Sequence, residues 1–333
     1  MQKVKMKEGF YKIRGKDVDM TGMVFPMISE FKVGAGGGYV TVDGTAVAGF
    51  PDRNIKIKCD SPSSYELVDS SVATTTREET DEETIERLRE RFDMLEDMTK
   101  ACKRGDVRAM IVSGPPGVGK SHGVEKVLGA HELIATLGDR PAKYQVVKGA
   151  MSAIGLYCKL FNYADKDNVL VFDDCDSIFA DELSLNILKA ALDSKKNRTI
   201  HWNTDSFKLR NEGVPDSFTF KGGAIFITNL KFDKSKGKVR EHLMALESRC
   251  HYIDLTIDTD REKMLRIQQI VKDGMLTEYK LAEDVVQDIV DFVDINKNRL
   301  RELSLRTVLK VADLAKAFPD KWEAMAENTV MKR

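Results

Sequence analysis

At 333 residues the chain has room for about two domains and for an apolar core that needs no disulfide or metal support. Hydrophobic residues make up 42% and charged residues 32%, and 52 Lys and Arg against 53 Asp and Glu leave a net charge of −1, which excludes a chain that coats nucleic acid or membrane through bulk charge. No apolar run approaches the ~18 residues of a membrane helix, and MQKVKMKEGF lacks the pattern of a secretion signal. The five cysteines form no CxxC pair and the histidines have no metal-ligand spacing, so reduced thiols in a cytoplasm, no structural zinc and no membrane partner are expected.

Residues 1–72 read as a small β-rich module. Runs such as Tyr39-Val40-Thr41-Val42 and Ile55-Lys56-Ile57-Lys58 are separated by turn signals at Asp43-Gly44 and Pro51-Asp52. No helix pattern follows the glycines at 34 and 36–38, which favours a hairpin loop over a phosphate cradle. Residues 70–84 are polar and read as a linker. Ile85, Leu88, Phe92, Leu95, Met98 and Cys102 then share one helical face, and Gly105 ends that helix. Candidate strands at 109–113, 144–148, 168–172, 224–228 and 251–255 alternate with helical patterns, which predicts a parallel sheet covered on both faces over 73–257. From 258 to 333 the pattern is helical, opened by the capping box Thr259 and Glu262.

The strongest chemical signal is Gly114-Pro115-Pro116-Gly117-Val118-Gly119-Lys120-Ser121, with His122 next in the chain. It matches GxxxxGK[ST] between a strand and a helix, the context in which backbone N–H groups and a helix N-terminus hold phosphate oxygens. Lys120 is expected to reach the β- and γ-phosphates of ATP and Ser121 to ligate Mg²⁺. The second signal is the apolar run 169–172 ending in Asp173 and Asp174. The C-terminal edge of a parallel sheet faces the ligand crevice, so Asp173 is expected to orient Mg²⁺ and Asp174 to polarise a water against the γ-phosphate. Asp176 reads as a helix cap or the partner of a cation.

Over residues 77–317 the chain resembles the AAA+ ATPase superfamily. VLVFDDCDSIF looks like its Walker B strand, FITN ending at Asn229 like sensor 1, LESRC with Arg249 like the arginine-finger segment, and LSLRTVLK with Arg306 like a sensor 2 helix in the helical lid. The resemblance implies an α/β parallel-sheet P-loop core with a C-terminal helical lid and a small N-terminal β-rich module. It also implies an ATP- and Mg²⁺-dependent ATPase working as a ring-type homo-oligomer, a hexamer by preference. Asn229 would fix the attacking water, Arg249 would reach a neighbour's γ-phosphate, and either Arg306 or Arg301 would face the nucleotide, with Arg306 favoured by position. Two features depart from the pattern. Asp174 stands where Glu is usual, and the aromatic pore-loop residue has no clear match, Tyr157 reading as core. The single-module size resembles ATPases of tailed phages.

Residues 194–223 read as an inserted hairpin, Thr199–Trp202 with Ser217–Phe220, carrying Lys208 and Arg210 in its loop. Lys231, Lys234, Lys236, Lys238 and Arg240 against Asp233 follow sensor 1. These features favour work on DNA by a motor, loader or packaging or replication accessory. The alternative is a protein-remodelling ATPase whose clients are chosen by residues 1–72.

Overall fold

In the computed structural model residues 2–13, 15–45, 47, 50, 54–137, 144–195, 197–232 and 237–332 are described. The chain divides into two units, Met1–Thr84 and Ile85–Arg333.

The first unit is a seven-stranded antiparallel sheet of β1 (Lys3–Met6), β2 (Phe10–Ile13), β3 (Lys16–Asp19), β4 (Val24–Gly34), β5 (Gly37–Val42), β6 (Ile55–Lys58) and β7 (Tyr65–Val68), in the order β3-β2-β6-β5-β4-β1-β7. Alternation sets its faces. Val4, Met6, Val40, Val42, Ile55 and Ile57 are buried in one core with Phe25, while Lys56 and Lys58 point to the opposite, exposed side. Gly34 pairs with Gly37, so the glycine cluster is the tight hairpin joining β4 to β5. The polar segment expected as a linker is tied down at Thr75, whose N–H donates to the Val24 carbonyl at 3.0 Å and whose hydroxyl accepts from the Val24 N–H at 2.9 Å.

The second unit opens in α1 (Asp81–Lys103), whose buried stripe is Leu88, Phe92, Leu95 and Cys102. Gly105 at φ +73° follows it, the left-handed step that ends a helix without Cβ strain. The chain then runs through β8 (Ala109–Ser113), α2 (Lys120–Leu137), β9 (Tyr144–Lys148), α3 (Ala153–Asn162), β10 (Val169–Asp173), α4 (Ser177–Ala180) and α5 (Glu182–Ala191). A hairpin of β11 (Thr199–His201) and β12 (Ser217–Thr219) encloses α6 (Phe207–Asn211). After it come β13 (Gly223–Thr228), α7 (Gly237–Glu247) and β14 (His251–Asp254). The parallel sheet has the order β14-β8-β13-β10-β9. The strand between the two acidic and phosphate motifs in sequence, β9, lies at the sheet edge, and β13 is the strand that separates β8 from β10 in space. Two apolar layers cover the faces, one around Leu156, Tyr157, Phe172 and Phe226 and the other around Leu95, Met110, Val124 and Ile225. Tyr157 is fully buried, and its hydroxyl donates to the Pro215 carbonyl.

The last part is helical: α8 (Asp260–Lys272), α9 (Glu283–Ile295), α10 (Leu305–Ala317) and α11 (Trp322–Val330), closed over a core of Ile267, Ile289, Val293, Val308, Val311 and Trp322. The Thr259–Glu262 capping box is formed. Among the described residues no helix is long and apolar enough to cross a membrane. All five cysteines are free.

Candidate nucleotide site

The phosphate loop connects β8 to α2 at the C-terminal edge of the sheet. Gly117 and Gly119 take φ of +70° and +101°, values that glycine adopts without strain, so both positions need glycine. The loop divides by role. Gly114 lies against the Leu255 backbone, where a Cβ would come within 3.0 Å of its carbonyl oxygen, and Val118 is buried in the core. Pro115 and Pro116 line an outer cleft with Arg301. Gly117, Gly119, Lys120, Ser121 and His122 line a cavity of about 810 Å³ together with Asp173, Asp174, Asn229 and Arg306.

Within this cavity one chain of hydrogen bonds joins three strand ends. The Lys120 ammonium donates to the carbonyls of Gly114 and Pro115 at 2.7 and 2.8 Å and to Asn229 Oδ1 at 2.7 Å. The Asn229 amide in turn donates to Asp174 Oδ1 at 2.9 Å. Burial pushes the Lys120 ammonium down to about 8, against the pull of Asp174 and Asp173. Asp174 has φ +53°, and its N–H donates to the Ile227 carbonyl, so the residue after β10 turns sharply in a left-handed conformation. Asp and Asn are the side-chain-bearing residues that most readily adopt it, which is a local reason for Asp at this position.

Asp173 is buried at the end of β10. Its Oδ1 accepts from the Ser121 hydroxyl at 3.0 Å and its Oδ2 pairs with Lys148 at 3.2 Å. A hydroxyl and a carboxylate side by side are the oxygen donors a hard divalent cation takes. Lys148, at the end of β9, also pairs with Glu125 of α2 at 3.1 Å. Asp176 accepts from the Thr228 hydroxyl at 2.7 Å and makes no side-chain cap to α4; burial raises its carboxyl above the usual range. It braces the end of β13 behind the site.

The helical part contributes from α8 and α10. The Leu305 N–H donates to the Gly117 carbonyl at 3.0 Å, seating the start of α10 on the loop. Arg306 lines the cavity that holds Lys120, whereas Arg301 is held by the Met331 carbonyl through its Nε at 2.9 Å and lines the outer cleft. Sequence reasoning missed a buried arginine of the cavity. Arg266 of α8 is 6% exposed, its guanidinium lies 3.5 Å over the Phe92 ring, and its Nη1 donates to Gln269. Its Nε has no partner, and among the described residues no carboxylate pairs with it. Burial lowers it to about 10. A buried cation with an idle donor beside a phosphate loop fits an anionic ligand. Its only sequence signal is the helical spacing that puts it on α8, and nothing in the sequence places Phe92 opposite.

Two expected features lie elsewhere. Arg249 follows α7 and precedes β14, the edge strand opposite β9; it is exposed, and its guanidinium folds back on the Ala245 carbonyl at 2.6 Å. In the insert, Lys208 faces Glu212 at 4.0 Å and Arg210 pairs with Asp205 at 3.0 Å, so these cations have local partners. Lys231 pairs with Asp258 at 3.3 Å. Asp233, Lys234 and Lys236 of the basic run lie outside the described residues, as does the Lys238 side chain.

No family model matches the chain. It is similar to solved structures of domain III of the Thermotoga maritima replication initiation protein DnaA (10% identity, 73% of this chain and 91% of that one, TM-score 0.43) and of the Aeropyrum pernix ORC1 protein in complex with DNA (12%, 72% and 64%, TM-score 0.44). It is also similar to Saccharomyces cerevisiae Hsp104 in a casein complex (15%, 74% and 40%, TM-score 0.38). In sequence it is 35% identical over 244 residues to the uncharacterized 36.7 kDa protein of the nrdC-mobD intergenic region of Enterobacteria phage T4, covering 72% of this chain and 73% of that one. The chain belongs to the family of that phage T4 protein, and its core is an α/β fold with the glycine-rich loop after the first of five parallel strands in the order β14-β8-β13-β10-β9.

Proposed function

We propose that the protein is an ATP-hydrolysing AAA+ ATPase that self-assembles and couples turnover to work on DNA. The observation that carries the reading is the convergence of Lys120, Ser121, Asp173, Asp174, Asn229 and Arg306 on one cavity. In this reading residues 73–257 form the nucleotide-binding domain, 258–333 the lid and 1–72 a module that meets the substrate. Lys120 leaves its loop carbonyls for the β- and γ-phosphate oxygens, and the loop N–H groups hold the remaining phosphate charge. Ser121 and Asp173 would hold Mg²⁺, which supplies charge neutralisation at the phosphates when bound. Asp174 accepts a proton from the attacking water, and Asn229, freed from Lys120, fixes that water. Arg306 and Arg266 place positive charge from the lid side. Arg249, exposed at the sheet edge, supplies its guanidinium to a neighbouring subunit in a ring, a hexamer by preference.

The test is steady-state ATP hydrolysis against protein concentration, with and without single-stranded DNA. Turnover per subunit that rises with concentration and again with DNA is expected. Turnover that rises with concentration but ignores DNA would shift the reading to a protein-remodelling ATPase. The local pairing of Lys208 and Arg210 with carboxylates favours that second reading for the insert.

A further inference from the structure

The first unit carries a charged and aromatic sheet face that the nucleotide chemistry does not use. Directly opposed residues in an antiparallel sheet share a face. The pairings Asp19 with Phe10, Phe10 with Lys58, Lys58 with Tyr39 and Tyr39 with Lys32 therefore draw one row across β3, β2, β6, β5 and β4. Lys12 and Lys56, two residues along their strands, lie on the same face. From Phe10 to Lys32 the row crosses three strand spacings, about 14 Å. Lys12, Lys32, Lys56 and Lys58 are exposed, and among the described residues no carboxylate pairs with any of them. Asp17, opposite Lys12, and Asp19, opposite Phe10, lie on the same face at the β3 edge. Lys56 sits 4.7 Å from the centre of the Tyr39 ring, and Phe10 is 52% exposed. The buried side of the same strands holds Ile55, Ile57 and Val40, so the lysine face is fixed by the core beneath it.

We propose that this face of β2, β6, β5 and β4 binds single-stranded nucleic acid, with Phe10 and Tyr39 stacking on bases and Lys12, Lys32, Lys56 and Lys58 meeting phosphates. The proposal rests on the reading of the chain as an ATPase working on DNA and names a surface through which it does so. Charge complementarity selects a polyanion, because Lys32, Lys56 and Lys58 are exposed on this face and no carboxylate pairs with them among the described residues. The exposed aromatic selects a single strand, because a duplex hides its base faces and a free strand offers them for stacking.

The test is fluorescence anisotropy of the full chain with labelled oligo-dT, oligo-rU and a mixed-sequence duplex of about 20 nucleotides, from about 50 to 200 mM salt. The variants are Lys56→Ala with Lys58→Ala, and Phe10→Ala, all at exposed positions. The double lysine variant is expected to lower the slope of log affinity against log salt by about 1.4, the value for two phosphate contacts on a single strand. Phe10→Ala is expected to weaken binding about fivefold or more with little change in slope. Binding of a labelled ATP analogue and thermal unfolding, measured on the same samples, are expected to match the wild type. Comparison of oligo-dT with oligo-rU identifies the strand, and either preference supports the face. Wild-type affinity and salt slope retained in both variants would overturn the inference while leaving the ATPase reading intact. So would duplex binding tighter than single-strand binding, or no binding by the wild type. The ATPase reading fails separately, if no ATP is hydrolysed at any protein concentration.

Discussion

Lys120 links the loop to the acidic strand end in the free protein, and its burial makes it a measurable probe. Its ammonium is held down to about 8 while an unfolded lysine titrates at 10.5. Between those values the unfolded chain binds the extra proton, so this group adds stability as the pH rises through the window. In denaturant melts without nucleotide the wild type is expected to gain on Lys120→Met by no more than about 3 kcal/mol between pH 8 and 10.5. Parallel pH curves would place the ammonium in solvent. Asp174→Asn keeps a residue that tolerates φ +53° and an oxygen for Asn229, and removes only the base. Turnover should fall by about 10²–10⁴ with ATP affinity unchanged, read by single-turnover hydrolysis and equilibrium binding. Arg266→Met removes a buried charge that no carboxylate pairs with among the described residues. The free protein should hold its melting temperature or gain, and ATP affinity should drop about tenfold, the size of one charge-assisted hydrogen bond. A variant that loses stability and keeps affinity would make Arg266 a packing residue.

At the scale of elements, the contact between the phosphate loop and α10 is the tightest joint near the site. A Cβ at Gly117 would lie 2.6 Å from the Ser304 Cβ, and φ there is +70°. Gly117→Ala therefore strains the loop and pushes the start of α10 away from the carbonyl that Leu305 now donates to. A fall in melting temperature of about 2–6 °C and weaker ATP binding are expected from calorimetry and titration. Glycine-like behaviour of the alanine variant would mean that α10 is not seated on the loop in solution. The order of the parallel strands matters as much. By putting β13 between β8 and β10, the sheet sets Asn229 between Lys120 and Asp174, a contact across 109 and 55 residues of chain.

For the whole molecule, the position of Arg249 gives a mixing prediction. The side chain is exposed at the sheet edge and lies outside the cavity of its own chain. Arg249→Ala is expected to keep ATP binding and lose hydrolysis. Adding an equal amount of a Lys120→Ala protein, which binds no nucleotide but keeps its arginine, should restore part of the turnover. No recovery on mixing would remove Arg249 from catalysis across subunits.

The phosphate loop, the two aspartates, the capping box and the five parallel strands were legible in the sequence because each is local. A glycine-bounded turn before a helix, an apolar run ending in acids and a helical period all lie within a dozen residues. The departure at Asp174 was legible as a substitution, but its reason, a left-handed backbone, is a property of the folded turn. Between Arg306 and Arg301 the sequence left the choice open. Packing separates them, since the C-terminal segment at Met331 holds Arg301. Arg266 and Lys148 went unread because their partners, Phe92, Glu125 and Asp173, come from other elements. In the first unit two of the seven strands were named from β-branched runs; the others are short or polar on one face and declare themselves only by pairing. The sequence by itself determined the glycine-rich GxxxxGK[ST] motif, the acidic strand end and the α/β class, which depend on residue type and short-range spacing. The tertiary structure decided which charges are spent on one another and which are left for a ligand, because that depends on the strand order that brings distant residues within a few ångströms.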